Sequence, residues 1–246
     1  MAIIGGRAHT IEEIIQVAKL GYPYAEINLD DPTKIAKDLN QLLDLKKEYK
    51  INYLAHYPNE GNPADIKNLK EVFVPKIKKL IEFSPRLGIL KGTIHFWMDK
   101  RWAKPDLIST KIDLLSELVD HAKQNRMVLC LENLTSQHES FSDYFKHIPD
   151  LRMTMDIGHG ELLSSENTAF GFMKNVYEKI HHIHVHDNLG GTGVKDDLHL
   201  PLGDGKVNYP EIFKILKQKG YQSTITMEVK PKDMLRTQKE IRRYLD

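Results

Sequence analysis

The feature that most constrains this chain is an alternation of two periodicities. Eight short β-rich runs, AIIGG, YAEINL, INYLAH, GTIHF, VLCLEN, MTMDIG, HHIHVHD and STITMEV, recur along the 246 residues. Between them lie segments with apolar residues three and four apart, such as TIEEIIQVAKLG, PTKIAKDLNQLLDLKKEY, PADIKNLKEVFVPKIKKLIEF and DLISTKIDLLSELVDHAKQ. Strands alternating with amphipathic helices predict parallel pairing through right-handed crossovers, and eight such units close an α/β barrel of the (β/α)8 TIM type. No linker or composition break divides the chain, so residues 1–246 are read as one domain. A doubly wound open sheet is the rival, but GGRAHT after the first strand lacks the third glycine of the dinucleotide fingerprint.

Helix punctuation agrees with the periodicity. Thr10 with Glu13 predicts a capping box, Gly21 and Gly220 close two helices, and Pro210 opens another. Apolar residues make up 41% and no apolar run is long enough to span a bilayer, so membrane insertion is not expected. A formal net charge of +1 supplies no global field to hold nucleic acid. The amino terminus lacks the basic and apolar regions of a secretory signal, and the single Cys130 cannot form an internal disulfide; a cytoplasmic protein is expected.

Polar residues stand at nearly every strand end, where a (β/α)8 barrel builds its active site. Strand three ends with His56, strand four with His95, strand five with Glu132, strand six with Asp156 followed by His159, strand seven with a histidine run and strand eight with Glu228; the loop after strand seven adds Asp197 and His199. Any one of these alone reads more readily as a satisfied rim group. Their convergence changes the reading: carboxylates and imidazoles gathered at one mouth repel or stay unpaired without a cation, whereas a divalent metal satisfies both.

In the run HHIHVHDNLG, alternation places His182, His184 and His186 on one face and Ile183 and Val185 on the other. His182 is expected in the barrel core, His184 near the rim and His186 at the loop, with His182 and His186 read as hydrogen-bonding to neighbours; spacing alone does not choose between the last two positions as ligand. Asp197 and His199 project from one side of an extended segment, either chelating jointly or forming a loop-ordering turn with a solvent-facing imidazole. Gly158 lets the chain turn so that Asp156 and His159 approach one site. Cys130, on the face of Glu132, reads as a small core filler. The stretch from Asn188 to Asn208 is long for a compact domain; its glycines serve either a lid or static turns.

LEN at 131–133, MDIGH at 155–159, HVHDN at 184–188, DLHLPLGDG at 197–205 and ME at 227–228 together resemble the xylose isomerase-like TIM-barrel superfamily, in the branch of sugar phosphate isomerases and epimerases that also contains endonuclease IV. The resemblance spans nearly the whole chain. It implies one divalent ion, zinc, manganese, magnesium or cobalt, held by Glu132, Asp156, His184 and Glu228, and it favours His184 over His186. It further implies that His159 touches substrate hydroxyls, and that Glu132 and Glu228 exchange protons beside the carbonyl of a small sugar or sugar phosphate through an enediolate stabilised by the metal.

Similarity to endonuclease IV implies an alternative: up to three zinc ions on His56, His95, Glu132, Asp156, His159, His184, Asp197, His199 and Glu228, acting on phosphodiesters at abasic sites in DNA. The loops DDPTK and PNEGNPAD oppose it, being net acidic where phosphates would approach and free of any wedge for a base stack. FWMDKRWAKPD, with Phe96, Trp97 and Trp102 beside Lys100, Arg101 and Lys104, suits a sugar ring carrying a phosphate, and single-strand stacking nearly as well. A sugar or sugar phosphate is therefore the expected partner, ahead of nucleic acid. Barrel exteriors in this branch imply a homo-oligomer, although no interface is marked, and retention of both glutamates argues against a barrel that binds without turnover.

Overall fold

Each β-rich run forms a strand in the computed structural model, which describes residues 1–246 with the side chain of Val194 excepted. The strands are β1 (Ile3–Ala8), β2 (Tyr24–Asn28), β3 (Asn52–His56), β4 (Lys91–Ile94), β5 (Val128–Glu132), β6 (Arg152–Asp156), β7 (Ile180–Val185) and β8 (Thr224–Met227). They pair in parallel in chain order, and β8 returns to β1 with Ile4 opposite Ile225 and Gly6 opposite Met227, closing the barrel. The single-domain (β/α)8 barrel is thus the observed architecture. No helix among the described residues is long and apolar enough to cross a membrane.

The helices are α1 (Ile11–Lys19), α2 (Pro32–Tyr49), α3 (Ile66–Asn68), α4 (Val74–Phe83), α5 (Pro105–Gln124), α6 (His138–His147), α7 (Ala169–Asn175), α8 (Tyr209–Gln218) and α9 (Pro231–Leu245). At the start of α1, Thr10 Oγ1 accepts the Glu13 amide at 3.2 Å, but the Glu13 carboxylate accepts from His9 N–H at 2.7 Å, one residue earlier than a reciprocal box requires. Asp31 caps α2 by accepting the Thr33 and Lys34 amides at 2.8 and 3.0 Å. The helix expected over 63–83 starts later, at Ile66, and is broken by a π segment at Leu69–Phe73. Pro75 follows directly. It has no N–H for an i→i−4 bond, and the wider turn, closed by Val74 N–H on the Leu69 carbonyl, absorbs the missing link.

Alternation along the strands sorts the two faces. Ile183, Val185, Ile225 and Met227 are buried among the apolar core residues. The barrel interior is polar: Thr93 and Thr154 share a hydrogen bond of 2.9 Å, Tyr24 reaches Thr226 at 3.2 Å, and Glu26 is fully buried. Cys130 is buried, and burial pushes its thiol up to about 11, as suits a core filler. In the 188–208 stretch, Asp187 accepts amides from Asn188, Gly203 and Val207 at 2.8–3.0 Å. A Cβ on Gly205 would stand 2.3 Å from Asp187 Oδ1, so this glycine serves a static turn.

Candidate metal centre

Parallel strands deliver their last residues to one mouth, and here three carboxylates meet one imidazole. His184 Nδ1 lies 3.4 Å from Glu132 Oε2, 3.8 Å from Asp156 Oδ2 and 3.4 Å from Glu228 Oε1. The other predicted residues join this cluster. His95 Nε2 and His56 Nε2 stand 2.9 and 3.6 Å from Glu132 Oε2. His159 sits with Nδ1 at 2.7 Å from Glu132 Oε1 and Nε2 at 3.0 Å from Asp197 Oδ2. His199 touches Asp197 Oδ2 at 3.0 Å and approaches Glu228 Oε2 at 3.6 Å. All nine residues singled out in the sequence therefore share one network.

Many of these contacts are close without being hydrogen bonds. His56 Nε2, Glu132 Oε1, His159 Nδ1, His184 Nδ1 and Glu228 Oε2 are buried atoms with no hydrogen-bond partner among the described residues. A buried polar group left unpaired costs about 1–3 kcal/mol, and several aimed at a common centre share a remedy in a divalent cation. Imidazole nitrogens mixed with carboxylate oxygens are donors that zinc, cobalt and manganese accept. The donor set fits a metal.

Charges within the cluster offset its burial. Burial alone would raise the Glu132 carboxyl, but the charges of His95 and His184, with the close approach of the His159 and His184 rings, hold it well below the usual carboxylate range. Burial likewise opposes ionisation of Glu228, and the Arg7 guanidinium, donating from Nη1 at 2.7 Å, together with the charges of His184 and His199 outweighs it and keeps the group low. Burial would lower the His184 imidazole, but Glu228, Glu26 and Glu132 raise it well above its ordinary value.

Three local readings need correction. His199 has φ of 47°, so the Asp197–His199 pair sits on a left-handed turn and not on an extended segment. Gly158 has ordinary right-handed helical angles, φ −73° and ψ −46°. What requires glycine there is close approach, because a Cβ would stand 2.2 Å from the His186 ring. His186 does hydrogen-bond to Asp156 Oδ2 at 3.2 Å, but its Nδ1 is buried without a partner. It shares a group of potential ligands with His159, Asp197 and His199, and its ring stacks on His199 at 4.1 Å.

A cleft of about 420 Å³ opens beside the cluster, with His95, His159 and Asp197 on one side and Asn59, Trp97, Leu134, Thr135, Leu162 and Leu163 among its other walls. Leu134 and Leu163 hold φ of 46° and 52°. Such left-handed non-glycine residues cost about 1–3 kcal/mol each and gather at ligand sites. A second cleft, about 350 Å³, reaches the cluster past Arg7, His9, His199, Glu228 and Lys230.

Of residues 96–106, only Trp97 lines the larger cleft, while Phe96 is buried and Trp102 is 56% exposed. Lys100 pairs with Asp143, and Arg101 binds Asp99 and the carbonyls of Thr135 and Leu163. Two of the three cations that the sequence offered to a phosphate, Lys100 and Arg101, are thus committed elsewhere.

Glu26 and Arg7 escaped the sequence reading. Glu26 accepts from His182 Nε2 at 2.8 Å and from His184 Nε2 at 3.0 Å. Its one signal was a lone acid in the middle of a short strand, flanked by Ala25 and Ile27. Arg7 lies beyond the glycines that seemed to end β1.

A family model described as xylose isomerase-like TIM barrel matches residues 14–245. The uncharacterized protein MJ1311 of Methanocaldococcus jannaschii is 27% identical over 225 residues, covering 85% of this chain and 75% of that protein. Among solved structures, a D-tagatose 3-epimerase-like protein aligns with a TM-score of 0.84 at 25% identity, over 99% of this chain and 97% of its own. A D-allulose 3-epimerase from Methylomonas sp. shares the fold, with a TM-score of 0.74 at 19% identity over 96% of this chain and 89% of its own.

Proposed function

The chain belongs to the xylose isomerase-like TIM-barrel family, and from that premise we propose that it is a sugar isomerase or epimerase working with one divalent ion on Glu132, Asp156, His184 and Glu228. The observation that carries this reading is the convergence of three carboxylates on His184 Nδ1 beside an apolar-walled cleft. When bound, the ion supplies Lewis acidity for the charge that develops on substrate oxygens as a carbon-bound proton leaves. Glu132 and Glu228 serve as the proton-transfer pair. One carboxylate takes the proton from the carbon beside the carbonyl, and the other, once it carries a proton, returns one to the opposite face of the same carbon or, with the hydroxyl proton passing between the two substrate oxygens, to the neighbouring carbon. His159, reaching the cleft, binds a substrate hydroxyl.

The substrate is a small uncharged sugar. Among the described residues no lysine or arginine lines the larger cleft, whereas Glu60 and Asp197 do. A phosphate there would meet carboxylates with no compensating cation, while Trp97 and Leu134 offer apolar faces to a ring's C–H groups. D-allulose, named for the Methylomonas enzyme, is a reasonable first member of a ketohexose panel.

The group His159, His186, Asp197 and His199 supports a second reading, in which further ions serve phosphate-ester hydrolysis. The lack of a cation in the cleft weighs against it. The deciding experiment incubates metal-replete protein with ketohexoses in D₂O and follows deuterium at the exchanging carbon by NMR. Incorporation that disappears in Glu228→Gln supports the proposal. Unchanged incorporation in that variant removes Glu228 from the proton-transfer role, and an absence of exchange across the panel, with cleavage of abasic-site DNA, transfers the site to phosphodiester chemistry.

A further inference from the structure

β7 turns two buried histidines into the barrel, yet only His184 faces the mouth carboxylates. We propose that the second, His182, joins Lys91, Thr224 and Glu26 in a hydrogen-bond relay through the barrel interior that fixes the His184 ring with Nδ1 toward the ion, which makes Glu26 a positioning residue of the metal centre. The inference rests on the metal-dependent reading above.

The direction of each bond follows from what each group can donate. Lys91, the first residue of β4, stands at the floor of the barrel; its ammonium has donors only, and gives them to His181 O at 2.7 Å, Ser223 Oγ at 2.9 Å and Thr224 Oγ1 at 2.8 Å. Thr224 Oγ1, accepting from Lys91, has its own proton free for His182 Nδ1 at 2.6 Å. Glu26 Oε2 only accepts, so at 2.8 Å it takes the proton of His182 Nε2; Nδ1 is then left to accept from Thr224 Oγ1, and its 3.0 Å approach to the Thr224 carbonyl is a contact without a proton. Glu26, as a carboxylate, only accepts, and it also takes the Nε2 proton of His184 at 3.0 and 3.1 Å. With Nε2–H held by Glu26, Nδ1 is the nitrogen left to give a lone pair to an ion, and it is the atom that three carboxylates surround.

Glu26, His182 and His184 also lie close enough together to suggest an ion site of their own. Hydrogen bonding rules against that use. Both Glu26 oxygens, both His182 nitrogens and His184 Nε2 have partners, and His184 Nδ1 is the one donor atom of the trio left without one. The trio is a scaffold beneath the ion, with Glu26 in the role that a carboxylate takes behind a ligating histidine, where it fixes the tautomer and strengthens the ligand. The four strands β2, β4, β7 and β8 each contribute one link. This accounts for a second inward histidine that touches no mouth carboxylate.

The test uses Co²⁺ as probe on the full chain. Loss of such a partner weakens metal binding about 10–100-fold, so Glu26→Gln is expected to raise the Co²⁺ dissociation constant by that factor and to change the visible absorption of the bound ion, with far-UV circular dichroism unchanged. Affinity and spectrum within twofold of the unsubstituted protein, or a loss of thermal stability alone, overturn the relay. Should Glu26→Gln fail to fold, ¹⁵N-histidine NMR of the unsubstituted protein decides, with His184 assigned by its loss in His184→Asn. On Zn²⁺ addition Nδ1 is expected to shift as a ligating nitrogen while Nε2 keeps its proton; ligation through Nε2 overturns the inference. If the unsubstituted protein binds neither ion, the metal reading itself fails, and the relay with it.

Discussion

Arg7 reaches from the end of β1 to Glu228 beyond β8, and the pair is nearly buried, with side-chain exposures of 16% and 1%. Removing one partner of a buried ion pair costs about 3–5 kcal/mol because it strands the other charge. The pH dependence of that cost follows from the carboxyl. Burial opposes its ionisation, but with Arg7 present Glu228 titrates below the unfolded range, so its contribution is present above the unfolded value and lost as pH falls through the folded one. In Arg7→Met the charges of His184 and His199 remain but the largest opposing charge is gone, so the folded value rises toward the unfolded one and the dependence weakens. Urea titrations of ion-free protein should therefore show a destabilisation that is larger at pH 7 than at pH 4. A pH-independent difference would mean that packing of the arginine stem dominates.

At the scale of elements, a single side chain of α5 ties two site loops together. Lys111 is fully buried and donates from Nζ to Glu60 Oε2 at 2.8 Å and to the Trp97 carbonyl at 2.6 Å, while Trp97 N–H donates to Glu60 Oε1 at 2.7 Å. Glu60 and Trp97 both line the larger cleft, so the helix sets the spacing of its walls. Lys111→Met should accelerate amide hydrogen exchange in the loops at 57–65 and 95–104 by at least about tenfold, the factor for 1.4 kcal/mol of local opening, with strands β5 to β7 unaffected. Uniform acceleration would indicate global destabilisation.

The strands and most helix starts were legible because they depend on local periodicity and capping, as at Asp31 and Thr10. So were the strand-end ligand candidates, since parallel strands bring any such residues together. Glu26 was not: its meaning depends on β2 facing β7 across the interior, a relation between residues 156 positions apart. The cations after β4 misled because Asp99 and Asp143, which hold Arg101 and Lys100, are recognisable as partners only in three dimensions. Pro75 was readable in principle, but a π segment leaves no periodicity long enough to detect.

For the molecule as a whole, the proposed ion, held by residues from four consecutive strands, would link the second half of the barrel into one unit. A ligand that binds only the folded state at 100 times its dissociation constant adds about 2.7 kcal/mol. In a chain of this size that corresponds to roughly 5–10 °C in Tm. Chelator-treated protein should melt lower by this amount and recover on return of Zn²⁺ or Mn²⁺, read by scanning calorimetry; coincident melts with and without metal would contradict a resident ion.

Closure of the barrel by β8 on β1 has one further consequence, for the order of events during synthesis. His56, His95 and Glu132 leave the ribosome early, but Glu228 comes near the end of the chain, and its partner Arg7 has waited on the first strand throughout. The nascent chain therefore carries a partial cage whose last wall is missing until the eighth strand has been made. On the proposed function, ion capture with the full ligand set waits until the eighth strand has docked on the first.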